Sequence, residues 1–401
     1  MDTIKKGFII IIIFLFIFSP PIKFLFLTPS KLMVIIIVGL LILFNLKILL
    51  KNYKKTLALA ILWIIYSYIR SFLSKDYSFL NQNIFFLIEY FFGSCVLATI
   101  LIRFYNFGTL IKLIYYSILL QSFIIFSMIL SSKIYRLFIN LYSPKIRDYS
   151  IELNERYLGF RGFGFSSSIT YDLGVLLSLG LFLGYYLYKE KLISFKFHLF
   201  GIVILMVSST IVARTSFVVI IVFLIMIYYK RIFKIKSISF LLLISLFLFF
   251  NKNQLFNLIS SNGYTKFIFE LLINYETYGE LNSPSTDGLI RMYDNNYNEM
   301  IFGTGNFTTP EGGYYGHTDV GFFRHLLFGG IPSILFLFIW YYRLLRNLPR
   351  LYFKKILLLM FLILFFIQFK GDILFGSGQI ARFYFLLIFL FYGFYRKNYS
   401  H

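Results

Sequence analysis

Charge is the first thing this sequence lacks. Only 14% of its residues are charged, against about 25% in an average soluble domain. Acidic residues are scarcest, 17 against 39 lysines and arginines. With 59% hydrophobic residues and a mean hydropathy of +0.78, the chain has too little polar surface to close a water-soluble fold. It has one cysteine, Cys95, which excludes an internal disulfide and a cysteine-built metal site. Cys95 is read as packing inside a span. Four histidines without the spacing of a zinc helix exclude a metalloprotease. No Walker loop is present, and Gly303-Thr304-Gly305 lacks the preceding strand and following lysine that a nucleotide site needs. An ATPase and a sugar-nucleotide enzyme are therefore not expected, and neither a metal nor a cofactor is called for. Linkers, low-complexity tracts and repeats are also missing, so residues 1–401 read as a single membrane domain.

What the chain does have is long apolar runs. They lie near 8–27, 32–50, 56–73, 84–102, 110–131, 169–188, 197–212, 215–229, 236–250, 322–342, 354–370 and 380–396. A helix needs roughly 20 apolar residues to span a bilayer, which predicts about twelve spans in an all-α polytopic membrane protein. The two short runs at 197–229 admit one bent span instead. The runs are continuously apolar rather than alternating, which argues against a barrel. The first run follows Lys5-Lys6, has no small-x-small cleavage site and ends at Pro20-Pro21, so it reads as a retained anchor.

The net charge of +22 suggests nucleic acid until the cations are assigned to loops. With a cytoplasmic N-terminus, the segments carrying Lys5 and Lys6, Lys47 to Lys55, Arg103 with Lys112, Lys189 to Lys196, Lys230 to Lys236, Arg343 to Lys355, and Arg396 with Lys397 all fall inside. Of the 17 acidic residues only Asp2 and Glu190 do. That is the positive-inside pattern; it sets orientation, puts both termini in the cytoplasm and implies no nucleic-acid partner. Two connections are too long for simple turns, and both fall outside: a smaller loop at 132–168 and a large loop or cap at 251–321. In the larger one, Phe256, Ile259, Phe267, Ile268, Leu271 and Leu272 recur at near-helical spacing, as in helices lying on a membrane surface. A further helix is expected to start at Ser285-Thr286-Asp287, carry Leu289, Tyr293, Tyr297 and Met300 on its apolar face, and end at Gly303 and Gly305.

Charges in or beside spans are expensive, about 2.5–3.5 kcal/mol each at a helix centre on insertion scales. Here they are Glu89, Asp172, Arg214, Lys370, Asp372 and Arg382. All fall toward the outer side, which reads as one site open to the outside rather than a pathway through the bilayer. Arg214, in Ser208-Ser-Thr-Ile-Val-Ala-Arg-Thr-Ser216, offers a rigid fork that matches a phosphate; snorkelling, or pairing with Glu89 or Asp172, is the alternative. Arg161 opens Arg161-Gly-Phe-Gly-Phe-Ser-Ser-Ser168, whose backbone donors suit an anion or simply form a glycine-rich loop. Arg291 either binds an anion or pairs with Asp294 on its own helix. His317, followed by Asp319, brings a base and an orienting carboxylate together, unless it is only a solvated loop histidine. Arg324 stands nearby in a supporting position, and His325 is expected to matter less. Tyr264, Tyr275, Tyr278, Tyr314 and Tyr315 suit either sugar stacking or an interfacial belt. Gly180-x-x-x-Gly184 reads as a close-packing face.

These residues give the chain a resemblance to the O-antigen and capsular polysaccharide polymerases, which share an architecture with the O-antigen ligases. The likeness rests on the helix count, the two unequal outside loops and four landmarks in order. These are Arg161-Gly-Phe-Gly-Phe-Ser-Ser-Ser168, Ala213-Arg-Thr-Ser216, Arg291 followed by Phe302-Gly-Thr-Gly305, and His317-Thr-Asp-Val-Gly-Phe with Gly329-Gly330. The resemblance implies a GT-C-like, metal-independent membrane glycosyltransferase of the bacterial cytoplasmic (inner) membrane, acting on its outer face. It would transfer a growing glycan from undecaprenyl diphosphate to a hydroxyl of the next lipid-linked repeat unit. Its partners would be those lipid-linked donor and acceptor oligosaccharides, membrane lipid, a chain-length regulator and a flippase. It further implies that Arg214 and Arg291 hold the diphosphate and that His317 lies near the base. The reading of the residues themselves adds Arg161 to the anion-binding set, Asp319 as the carboxylate that orients His317, and Glu89, Asp172, Arg324, Lys370 and Arg382 in support. Ligases more often carry Asn after that histidine; Thr318 here favours a polymerase. A ligase-type transferase and a lipid-linked oligosaccharide flippase stay open, whereas a secondary transporter should have inverted halves with broken midplane helices, and neither is seen.

Overall fold

The structure, a computed structural model, describes residues 2–41, 53–156, 163–232, 270–279, 284–293, 297–349 and 351–399. Within them every regular element is a helix. Seven are long and apolar enough to cross a membrane: α3 (Lys54–Ser74), α4 (Ser78–Phe104), α5 (Phe107–Leu130), α8 (Tyr171–Lys189), α9 (Phe195–Val212), α14 (Gly321–Arg346) and α16 (Gly378–Tyr399), the last over Gly378–Tyr395. Shorter apolar helices α1 (Asp2–Phe18), α2 (Pro29–Leu41), α10 (Ser216–Ile232) and α15 (Tyr352–Ile367) pack with them. The protein is thus a multi-pass helical membrane protein, with seven full-length candidate spans among the described residues; the apolar runs of the whole chain predict about twelve. The expected span at 236–250 lies outside the described residues. The runs at 197–229 form two helices rather than one bent one, divided by the turn at Ala213 to Thr215.

The connecting regions are helical too. The 132–168 loop holds α6 (Ser132–Leu141) and α7 (Pro144–Arg156). The 251–321 loop holds α11 (Glu270–Tyr278), α12 (Pro284–Arg291) and α13 (Tyr297–Phe302). The helix expected from Ser285 to Met300 is therefore two helices. Most of the surface-helix pattern expected from Phe256 onward lies outside the described residues. Gly303 and Gly305 do end α13, at φ +74° and +83°, a region glycine enters without steric cost.

Aromatic side chains fill the core. Trp340 of α14 is almost fully buried and meets Phe86, Phe91, Phe375 and Phe385 at centroid distances of 5.5 to 6.2 Å. Glycines set the closest helix approaches. Tyr115 of α5 occupies the space left by Gly184 and Gly201, so the Gly180-x-x-x-Gly184 face does pack closely. At Gly174 an added Cβ would strike Ser216, Ala213 and the Ser209 carbonyl. Glycine there lets the α9–α10 turn seat against the first helical turn of α8.

Helix α14 is broken inside its apolar run. Gly330 has φ +65°, ψ −160°, and Pro332 follows. Proline has no N–H to offer the carbonyl four residues earlier, which is Phe328. The vacant acceptors find partners in the preceding loop and in α3. Thr304 N donates to Leu327 O at 2.6 Å, Gly305 N to Phe328 O at 2.8 Å, and Tyr66 Oη to Gly329 O at 2.7 Å. Irregular backbone is tolerated at membrane depth when protein covers it in this way.

The same strap is tied to the corner between α3 and α4. Arg70 donates to Gly303 O and Ser74 Oγ to Gly305 O. Asp76 accepts the backbone N–H groups of Phe307 at 2.6 Å and Thr308 at 2.7 Å. Burial opposes ionisation of Asp76, but Ser78 and these amides outweigh it and hold the carboxyl below its ordinary range.

Candidate functional site

Chain direction brings the start of α8, the α9–α10 turn, the start of α14 and the α15–α16 loop to one end of the bundle. Lys370 Nζ donates to Thr215 Oγ1 at 2.7 Å, which joins the Arg214 turn to the α15–α16 loop. Arg214 itself is half-buried there. Gly371 leaves room for the Tyr171 ring. Gly321, the first residue of α14, leaves room for Gln368 and the Asp372 backbone. Tyr293, two residues beyond Arg291, donates its hydroxyl to Phe369 O and packs its ring against Phe323 at 4.9 Å. The exposed Arg291 thus ends a helix tethered beside Lys370 and Arg324.

Arg324 is buried between two rings, 4.1 Å from the Phe307 centroid and 3.8 Å from that of Tyr314. Both faces of the guanidinium are covered, so its edge is left for polar contacts. Nη1 lies 3.8 Å from Asp372, while Nε is buried without a partner. Asp372 gathers more donors: Gln368 Nε2 at 3.0 Å, His325 Nε2 at 3.4 Å and Gln82 Nε2 at 3.5 Å. Burial alone would raise its pKa; His325, Arg324 and Gln368 overcome that and hold it well below the usual carboxylate range. Asp319 behaves oppositely. Its burial raises the pKa, and Arg324, its own backbone N–H and Lys370 draw it down only in part.

The remaining residues singled out by sequence fall into separate roles. Asp172 accepts from Ser168 Oγ, from Thr170 Oγ1 at 3.3 Å and from Ser377 Oγ at 2.9 Å. Glu89 pairs with Arg382 Nη1 at 2.8 Å and accepts from Ser30 Oγ. It sits in the π-helical segment Phe86–Phe92 of α4, about 16 Å along the helix axis from Ser78 at 1.5 Å per residue. Glu89 is therefore deeper than an outer-end charge. It belongs with Arg382, whose Nε and Nη2 also donate to Ile17 O at 3.1 and 3.0 Å. The alternative pairing of Arg214 with Glu89 or Asp172 is not what those carboxylates use.

Arg161 and Asp294 lie outside the described residues. The described part of the glycine- and serine-rich loop spends its donors within the fold: Ser166 Oγ bonds Gln379, Ser166 N bonds Tyr142 Oη, and Ser167 N bonds Phe18 O. His317 is exposed, at φ +50°. The pKa of exposed Glu311 is lowered first by its own backbone N–H and Thr309, with the charge of His317 adding least. His325 is the residue sequence underrated. It is 1% exposed, edge-on to Phe79 and Phe375, and bonded to Asp372. Its one sequence signal was its place beside Arg324 at the start of an otherwise apolar helix.

The arrangement defines a class: a helical membrane protein with a cationic, carboxylate-containing site at one end of its bundle. No family model, characterised protein or solved structure matches the chain.

Proposed function

We propose that this chain is a polysaccharide polymerase, transferring a glycan from undecaprenyl diphosphate to a hydroxyl of a second lipid-linked repeat unit at the outer leaflet of the cytoplasmic membrane. The observation that carries the reading is the Lys370–Thr215 contact. It joins the turn that carries Arg214 to Lys370, and Lys370 acts with Arg324 on Asp319, bringing together stretches more than 100 positions apart in sequence. Leaving diphosphate needs fixed positive charge aimed at the oxygens where charge develops. Arg214, Lys370 and the edge of Arg324 supply it here, with Arg291 at the rim.

In the transfer, the acceptor oxygen bonds to the anomeric carbon while the bond from that carbon to the phosphate oxygen breaks. The electron pair leaves with the diphosphate, and the hydroxyl proton passes to a base. We assign that role to Asp319, which lies within the field of Arg324 and Lys370 and whose pKa burial raises, whereas His317 is exposed to solvent. A ligase would need the same groups; Thr318, where ligases more often carry Asn, favours polymerisation.

The test is glycan length in cells carrying the chain with its own biosynthetic partners. Arg214→Lys should lose most activity at normal protein level, because lysine cannot form the bidentate fork. Asp319→Asn should slow growth by about 10²–10⁴-fold, and His317→Ala by much less. The acid limb of the pH profile should lie above the ordinary carboxylate range and vanish in Asp319→Asn. Full activity in both Arg214→Lys and Asp319→Asn would refute the reading.

A further inference from the structure

The strap that caps α14 continues into a small hairpin. Thr308 and Tyr314 form an antiparallel bridge, Thr309 N donates to Gly313 O at 2.8 Å, and Gly312 N donates to Thr309 O at 2.9 Å. Its base is fixed by Asp76, as described above. Next along, Tyr315 Oη donates to Glu299 at 3.2 Å. Tyr314 therefore stands on a rigid support, and its ring has little freedom left to lose.

One face of the Tyr314 ring lies on the Arg324 guanidinium. Yet 45% of the residue is exposed. With one face on a buried arginine, the opposite face and the edge are the parts of the ring left to meet solvent. No ring packs against Tyr314 among the described residues. Exposed Glu311 and His317 lie on either side of it in sequence and are close enough for Glu311 to sense the imidazole.

We infer that Tyr314, with Glu311 and His317 at its rim, is a pyranose-stacking subsite for the acceptor saccharide. A pyranose carries its C–H groups on a flat apolar face and its hydroxyls around the edge. A tyrosine face fixed from behind takes the first; an ionised carboxylate and an imidazole bond the second. The Tyr314 ring then lies between the stacked sugar and Arg324, whose guanidinium contacts Asp372. The identity of the ligand as an acceptor rests on the polymerase reading; the stacking of a sugar does not.

The test uses the full chain in lipid nanodiscs and saturation-transfer-difference NMR. The probes are the methyl glycosides of hexoses, N-acetylhexosamines and 6-deoxyhexoses. At least one probe should receive saturation on its ring C–H protons. Tyr314→Phe should retain that transfer, Tyr314→Leu should weaken binding about tenfold, and Glu311→Gln, an exposed change that leaves the fold intact, should weaken it measurably. Transfer unchanged in Tyr314→Leu, transfer lost in Tyr314→Phe, or no transfer to any probe would each overturn the subsite. The two readings separate cleanly. Sugar binding without Tyr314 dependence alongside activity loss in Asp319→Asn removes only the subsite. Tyr314-dependent binding in a chain whose Arg214→Lys and Asp319→Asn variants polymerise normally removes only the proposed function.

Discussion

Replacing both members of the Glu89–Arg382 pair should destabilise the protein by less than the sum of the two single replacements. The pair is nearly dry, with side-chain exposures of 7% and 3%. Removing one partner strands the other charge, which typically costs about 3–5 kcal/mol when a buried pair is broken. The two singles are not equivalent. Arg382→Met also takes two donors from the Ile17 carbonyl, adding about 1–3 kcal/mol for an acceptor left unsatisfied. Glu89→Gln leaves those bonds in place and keeps an acceptor for Ser30, so it should fall at the low end. The double variant removes both charges, and its loss should be smaller than the sum of the singles by about 2–3 kcal/mol, near the top of measured couplings. Reversible unfolding in mixed detergent micelles, followed by aromatic circular dichroism, gives all four free energies. Additive losses, agreeing within about 0.5 kcal/mol, would show that the charges do not depend on each other. A stable Arg382→Met variant that fails only in glycan synthesis would show instead that Arg382 serves the reaction.

Asp76→Asn should loosen the strap, since charge-assisted hydrogen bonds contribute about 1.5–3 kcal/mol each before solvent screening at this partly exposed site. Because its folded pKa is depressed, the stabilisation is full above the ordinary aspartate value and is lost as pH falls below that value and through the lower folded pKa. Hydrogen exchange at Phe307 and Thr308, corrected for intrinsic rate, should follow that course in the native chain and be fast at all pH in the variant; slow exchange in Asp76→Asn would contradict the latch. For topology, reporters fused near 280 should read as external and those near 233 and 350 as cytoplasmic, and the opposite result at both kinds of position would remove the basis for an outward-facing site.

Helices were legible in the sequence where apolar composition ran unbroken, as in α5 and α9. Boundaries failed where polar residues lie inside a helix. Asn81, Gln82 and Asn83 made the fourth span seem to begin near 84, yet they lie within α4, where Gln82 reaches Asp372 and Asn83 donates to Ser67 at 3.1 Å. That shift turned Glu89 from an expected end charge into an interior one. The break at Gly330 was hidden because Gly329-Gly330-Ile331-Pro332 does not lower hydropathy enough to interrupt a run. The cationic residues of the site were visible one by one, through the cost of charge in an apolar segment. Their partners were not. Glu89 meets Arg382 across 293 positions and His325 meets Asp372 across 47, and no local pattern encodes such a meeting.

The strap over the broken helix also limits how this protein can change. Residues 303–305 complete hydrogen bonding that α14 cannot complete alone, while Asp76 and Arg70 hold them from the other side. The large loop is consequently not an interchangeable module seated on a finished bundle. A chimera that imports the loop from another protein would need to bring a matching 327–332 segment and a matching α3–α4 corner with it. Substitutions in these three stretches, scattered along the chain, should therefore be inherited as a set.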